Sequence, residues 1–554
     1  MSCHNGFGSR LATSNMWIIM HRALPAFTFL GLLCSLTFAE ESLHDRIDRL
    51  VSAQFQGEPA PLTDDAAFLR RVHLDLAGCI PSAEKTRQFL ADTAADKREL
   101  EIDRLLASPT YATRMANLFH VVLMERRGDN SDWATYLRTS FEANKPWDQL
   151  VREILHPTDD AATRRGAAYF YTQRLQKSGQ NPTDYPGLTR DVGRLFLGVD
   201  LQCAECHDHL FIDDYKQLEF QGLFAAYKNI SIRNEKFPAI NEKSMTDKLE
   251  FISVFGSDKN LTGPRIPFGQ EFSIPAPDPA ADASAQNKKP DPNAPPAFSA
   301  LQQLADNLPS ADNSLFCQNI ANRVWFLMMG RGLVEPLDQF HSANMASHPE
   351  LLELLATEFA AHQFDFKWLI RELSLTDTYQ RSTRHHAATE FPTPASYQLG
   401  QQRRLTAEQL FSSALAATGN SERLTPAADA AADADAEDPG QKLKAAFVTA
   451  VASEPKQPAS DYKPSVKQAL FFLNDSQVLA LLQPHEGNLT AQLDQMPDAQ
   501  VADTVFLNIF SRPPVDAERK LVEAHLQQHA KQRPEALRQL VWAMLTSLEF
   551  CINH

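Results

Sequence analysis

The chain has 554 residues and a formal net charge of −16 at pH 7. That length exceeds what one hydrophobic core supports, so two large domains or three smaller ones are expected. The acidic balance excludes nucleic acid and an anionic membrane surface as principal partners, because either would repel a chain with no concentrated basic patch.

Residues 1–39 read as a signal peptide. Met20-His21-Arg22 is a short basic start, Ala23 to Phe38 is largely apolar, and Thr37-Phe38-Ala39 suits cleavage before Glu40. The mature protein is then expected to be exported, periplasmic or extracellular, with no membrane span after cleavage. Retention of the same run as an anchor is the alternative.

Residues 40–229 carry helical periodicity. Leu43, Ile47, Leu50 and Val51 share one helix face, Thr63-Asp64-Asp65 caps a segment bearing Phe68, Leu69 and Val72, and Ser108-Pro109 opens a helix to Met124. Asp191 to Leu197 predicts a further amphipathic turn or two, and a helix with Leu218, Leu223 and Phe224 follows Asp213-Asp214. Residues 230–274 change character: Leu249 to Phe255 is rich in β-formers and Gly263-Pro264, Pro267 and Gly269 punctuate, which predicts a small β insertion. Residues 275–300 form a Pro-rich linker.

Residues 301–554 are helical again. Ser347-His348-Pro349-Glu350 reads as a capping box, Thr406 to Gln409 opens another helix that stops at Gly419-Asn420, and 425–460 is expected to hold a disordered Ala/Asp insertion. Leu470 to Leu482, Asp516 to His529 and Pro534 to Phe550 close the chain. The fold class is therefore mainly α-helical, two helical domains with a small β insertion between them.

The densest chemistry is Cys203-Ala204-Glu205-Cys206-His207, followed by Asp208-His209. Cleavage of the leader leaves five cysteines, Cys79, Cys203, Cys206, Cys317 and Cys551, too few for a disulfide scaffold. Three readings remain open for the pair. The C-x-x-C-H spacing is that of covalent haem c attachment, in which each thiol adds across a vinyl group and His207 becomes the proximal iron ligand. Two thiolates with His207 or His209 also satisfy tetrahedral zinc. A plain disulfide is the third. With haem bound, Met124, His120, Met328, Met329, Met345 and His348 are the candidate sixth ligands, and Asp208 and His209 are candidates to orient the site.

Asn322-Arg323-Val324-Trp325 and Arg331 to Pro336 form a second dense stretch. It reads either as a helix, a Gly turn and a buried Trp with Arg323 paired to an acid, or as a surface docked against the first domain near the cysteines. No nucleophile elbow, zinc-protease motif, phosphate loop or dinucleotide fingerprint occurs, so no catalytic residue is named.

Together these stretches resemble the large secreted proteins of planctomycetes and relatives that join a planctomycete cytochrome-type domain to a planctomycete-specific C-terminal domain. The resemblance is carried by Arg71-Val72-His73-Leu74-Asp75-Leu76-Ala77-Gly78, Ile102 to Pro109 and Gln202 to His209 in the first half. In the second it is carried by Asn322 to Trp325, Gly330 to Pro336, Ser347 to Leu352 and Ser374 to Tyr379. It implies a cytochrome-like role. The chain departs from the pattern at Leu210-Phe211-Ile212-Asp213, where a basic residue or Pro and then Phe is usual, and it shows no added N-terminal cytochrome domain. A redox partner is thus expected to be a separate protein. The competing expectation is a non-redox secreted binding or scaffold protein, associated with secreted-polysaccharide pathway proteins and holding structural zinc at the same residues.

Overall fold

Short polar side chains start most of the helices. Ser42, Asp64, Ser82 and Ser108 each accept a hydrogen bond from the backbone N–H three residues on, opening Leu43–Ser52, Asp65–Leu76, Ala83–Ala91 and Pro109–Met124. The computed structural model describes residues 41–158, 162–176, 183–232, 240–276, 296–384, 392–424, 439–452 and 466–554. The expected signal peptide, most of the Pro-rich linker and residues 425–438 lie outside the described residues.

The described residues are mainly helical, and their strands are short antiparallel pairs. Ile230–Ile232 pairs with Ile240–Glu242, and Leu249–Ile252 pairs with Lys259–Thr262, both within the expected β insertion. A third pair, Arg403–Arg404 with Ile552–Asn553, stitches the chain's last residues to the middle of its second half. No helix among the described residues is long and apolar enough to cross a membrane.

Residues Ser42–His554 form one compact unit with two hydrophobic cores. The first core gathers Leu43 to Ile230 together with Phe298 to Tyr397, so it draws on both sides of the Pro-rich stretch. The second is built from Leu405 to Phe550, joined by Leu74 and Ile80. The Asp65–Leu76 helix lies between them. Phe68, Leu69, Val72 and Leu76 face the first core and Leu74 the second, so every residue from Phe68 to Leu76 is buried.

Several terminal signals differ from expectation. His348, not Ser347, precedes the Pro349–Ala361 helix and gives no side-chain cap. The Ser347 hydroxyl instead bonds His348 Nδ1 at 3.1 Å, and Glu350 falls too early to close the box. At Thr406 the box forms in full with Gln409, and the helix ends at Gly419 with φ 70°. Within the stretch expected to lack structure, Pro439–Val451 is a helix, because Leu443, Phe447, Ala450 and Val451 share a face that the second core buries. The closing segments break at Asp475 and Ser547, each capping a new short helix.

Candidate functional site

A buried ion network supports the cysteine loop. Asp191 takes Arg174 Nε and Arg127 Nη2 at 2.8 Å each, and Arg194 reaches Glu125 at 2.6 Å and Asp338 at 2.9 Å. Burial pushes the Asp191 carboxyl up, but Arg174, Arg127 and Arg194 outweigh it and hold the group below the usual carboxylate range. Arg323 pairs with the same Asp338 and donates to the Arg194 carbonyl at 2.8 Å. Asn319 donates to the Leu195 carbonyl at 2.8 Å. Both expectations for the Asn322 to Pro336 stretch therefore meet here. Trp325 is buried and Arg323 is paired to an acid, and the same helix docks on the π-helical segment Gly193–Leu197 that leads into the cysteines.

Gly198 turns the chain out of that segment with φ 70°. A Cβ there would meet Phe340 Cδ2 at 2.6 Å, so only glycine fits. The Phe340 N–H donates to the Gly198 carbonyl at 2.9 Å, and the Asp200 N–H donates to the Asp338 carbonyl at 3.0 Å. Asp200 Oδ1 then accepts from Gln202 N at 3.1 Å and begins the motif.

Cys203–Glu205 is a single 3-10 turn in which Ala204 faces the core while Cys203 and Cys206 are exposed. Both thiols are free. The N–H groups of Cys206 and His207 approach the Cys203 carbonyl at 3.4 Å each, so all three residues share one tight loop. Gln221 holds that loop to the Gln217–Tyr227 helix by donating to the Glu205 carbonyl at 2.8 Å.

The two histidines face different tasks. His207 Nδ1 lies 2.6 Å from the Asp208 carbonyl, which can only accept. Nδ1 therefore carries the proton and the Nε2 lone pair is left for a metal, the usual arrangement for a ligating imidazole. His209 is the reverse. Its Nδ1 accepts the N–H groups of Phe211 and Ile212 at 3.1 and 3.0 Å, so in the neutral ring the proton sits on Nε2 and no lone pair is free. His209 caps its own turn, and its backbone N–H donates to the Tyr215 carbonyl at 2.8 Å.

The loop after Leu249–Ile252 completes the surroundings, a contribution that sequence spacing did not reveal. Val254 N–H donates to the Cys206 carbonyl at 3.0 Å, and the Phe255 ring lies 4.6 Å from that of His207. Leu210 at 65%, Phe211 at 87%, Val254 at 65% and Phe255 at 72% exposure leave apolar side chains open to water on both flanks of the motif.

The sixth-ligand candidates are dispersed. Met124, Met328 and Met329 are core side chains, and Met124 sulfur already contacts Arg174 at 3.7 Å. His120 has both ring nitrogens engaged, by Trp133 Nε1 at 3.1 Å and Asp129 at 3.1 Å. His348 is buried beside Tyr397. Met345 alone is exposed, three residues beyond Ser342, whose N–H donates to Asp214 at 2.5 Å. Among the described residues no three His, Cys, Asp or Glu side chains gather in a group that could hold a metal ion.

Residues 46–232 match the family model of PSCyt2, a protein of unknown function (DUF1549), and residues 301–526 match that of PSD1, a protein of unknown function (DUF1553). The chain belongs to the proteins that join these two domains. No curated protein and no solved structure matches it.

Proposed function

We propose that this chain is an exported c-type cytochrome-like protein that carries haem covalently through Cys203 and Cys206, with His207 Nε2 as the proximal donor, and exchanges electrons with a separate redox protein. One observation carries the reading. Two free, exposed thiols and a histidine with its Nε2 lone pair available share one turn, and that turn is flanked by exposed Leu210, Phe211, Val254 and Phe255. Exposed apolar side chains grouped around reactive groups call for an apolar cover. A porphyrin meets that requirement, whereas a zinc ion does not. Bound haem would supply one-electron chemistry. The chain's own part is to aim His207 through the Asp208 carbonyl, to hold both thiols exposed in one turn, and to shield the group with the Phe255 loop.

The test is the visible spectrum of protein produced with the cytochrome c maturation machinery. A Soret band, with haem stain that survives denaturing electrophoresis and disappears in Cys203→Ser/Cys206→Ser, is the expected result. An absent Soret band with stoichiometric zinc would replace this reading by that of a non-redox secreted scaffold.

A further inference from the structure

The Asp65–Leu76 helix places two consecutive arginines in the interior, one toward each core, and among the described residues neither forms an ion pair with a carboxylate. Arg70 is neutralised by helix ends. It donates to the carbonyls of Ile509 at 3.2 Å and Phe550 at 3.0 Å, at the C-termini of Asp498–Ile509 and Leu548–Cys551, where the backbone dipoles favour a cation. Arg71 has no such set. It is 5% exposed, donates through Nη1 to the Tyr379 carbonyl, and leaves Nη2 buried with no hydrogen-bond partner.

Arg71 lines a cavity of about 20 Å³ together with Thr378, Tyr379, Gln401 and Arg403. The acid nearest to the two guanidinium groups is already committed. Asp75 receives Arg403 Nη2 at 2.7 Å, the Tyr379 hydroxyl at 2.8 Å and Asn553 Nδ2 at 3.0 Å. Thr378 is turned to Asp48 on its other side, with Oγ1 to Oδ1 at 2.7 Å. Two arginines thus border a small cavity that opens partly to solvent, and the one acid beside them, Asp75, is shared among three donors. A water molecule would satisfy the Nη2 hydrogen but bring no negative charge to Arg71 and Arg403, two guanidinium groups whose common acidic neighbour is the single carboxylate of Asp75, and an excess of buried positive charge is disfavoured.

We propose that this cavity is a binding site for a single monatomic anion of halide size, held by Arg71 Nη2 at the junction of the two cores. The volume sets the class, since about 20 Å³ suits a single small ion. The site joins the Asp65–Leu76 helix of the first matched domain to Tyr379 and Arg403 of the second, so an anion here links the two domains. It is independent of what occupies the cysteine motif.

The experiment is thermal unfolding of the purified full chain at fixed ionic strength, with chloride or bromide replacing methanesulfonate. The expected result is an upward shift in Tm that saturates with halide and vanishes in Arg71→Met. Should that variant fail to fold, bromide-soaked crystals of the unaltered protein carry the test. An anomalous peak within hydrogen-bonding distance of Arg71 Nη2 supports the site. A Tm insensitive to halide together with an ordinary water in the cavity overturns it, and a shift that never saturates, which is general salt stabilisation, does so as well.

Discussion

Asp75 accepts hydrogen bonds from the Tyr379 hydroxyl, Arg403 and Asn553 while almost wholly buried, so its charge is the hub where both halves and the C-terminus meet. Removing the charge leaves Arg403 without its carboxylate in the interior. Asp75→Asn is therefore expected to cost about 3–5 kcal/mol, read as a lower urea midpoint with an unchanged slope. The exposed pair Arg138–Glu142, at 3.2 Å, is the control. Arg138→Ala should cost about 0.5 kcal/mol or less, because solvent screens a pair that lies largely in water. Residue identity alone does not separate these cases, since each is an acid paired with an arginine. Burial decides the magnitude.

At the level of elements, the π-helical segment Gly193–Leu197 and the Gly198 turn convert a buried helix into the exposed cysteine loop. A left-handed backbone costs a non-glycine residue about 1–2 kcal/mol, and the close approach of Phe340 adds to that. Gly198→Ala is expected to lower the unfolding midpoint, since the loop could no longer dock on Asp338 and Phe340, and to reduce covalent haem yield if the proposed haem is carried. Unchanged stability and haem stain would show that the turn does not position the motif. Much of this level was legible in advance. Ser108-Pro109, Thr406 with Gln409, and Gly419 delivered the ends their chemistry predicts, because capping is a local interaction among neighbours. The box at Ser347 failed because Pro349 shifted the helix start by one residue and Ser347 took His348 as partner.

For the whole molecule, pH should act through histidines whose burial outweighs the pull of any nearby carboxylate. Burial holds His156 and His348 below the ordinary imidazole value, and burial followed by the nearby Arg70 charge brings His554 down to about 4. In the unfolded chain these rings titrate near pH 6.5. Below that value the unfolded state binds protons that the folded state refuses, so stability is full above about pH 6.5 and declines as pH falls toward about 4. Carboxylates held low, among them Asp65 and Asp191, extend the loss below that range. Urea midpoints measured between about pH 7 and about pH 4 should fall steadily; a flat profile to about pH 5 would show that these rings are not the controlling groups.

The helical class, the small β insertion, most helix starts, the C-x-x-C-H motif and the family resemblance are all legible from the chain, because each depends on spacing among residues close in sequence. Tertiary structure alone decided that Asp65–Leu76 serves two cores at once and that Pro439–Val451 is a helix with a buried face. It decided the fate of the two imidazoles as well, since His207 keeps a lone pair through the Asp208 carbonyl while His209 spends its own on two backbone amides. Phe255 reaches His207 from 48 residues away in sequence, and Arg71 meets Tyr379 from 308 away. Contacts at such separations are set by the packing of whole helices and hairpins, and no local pattern encodes them.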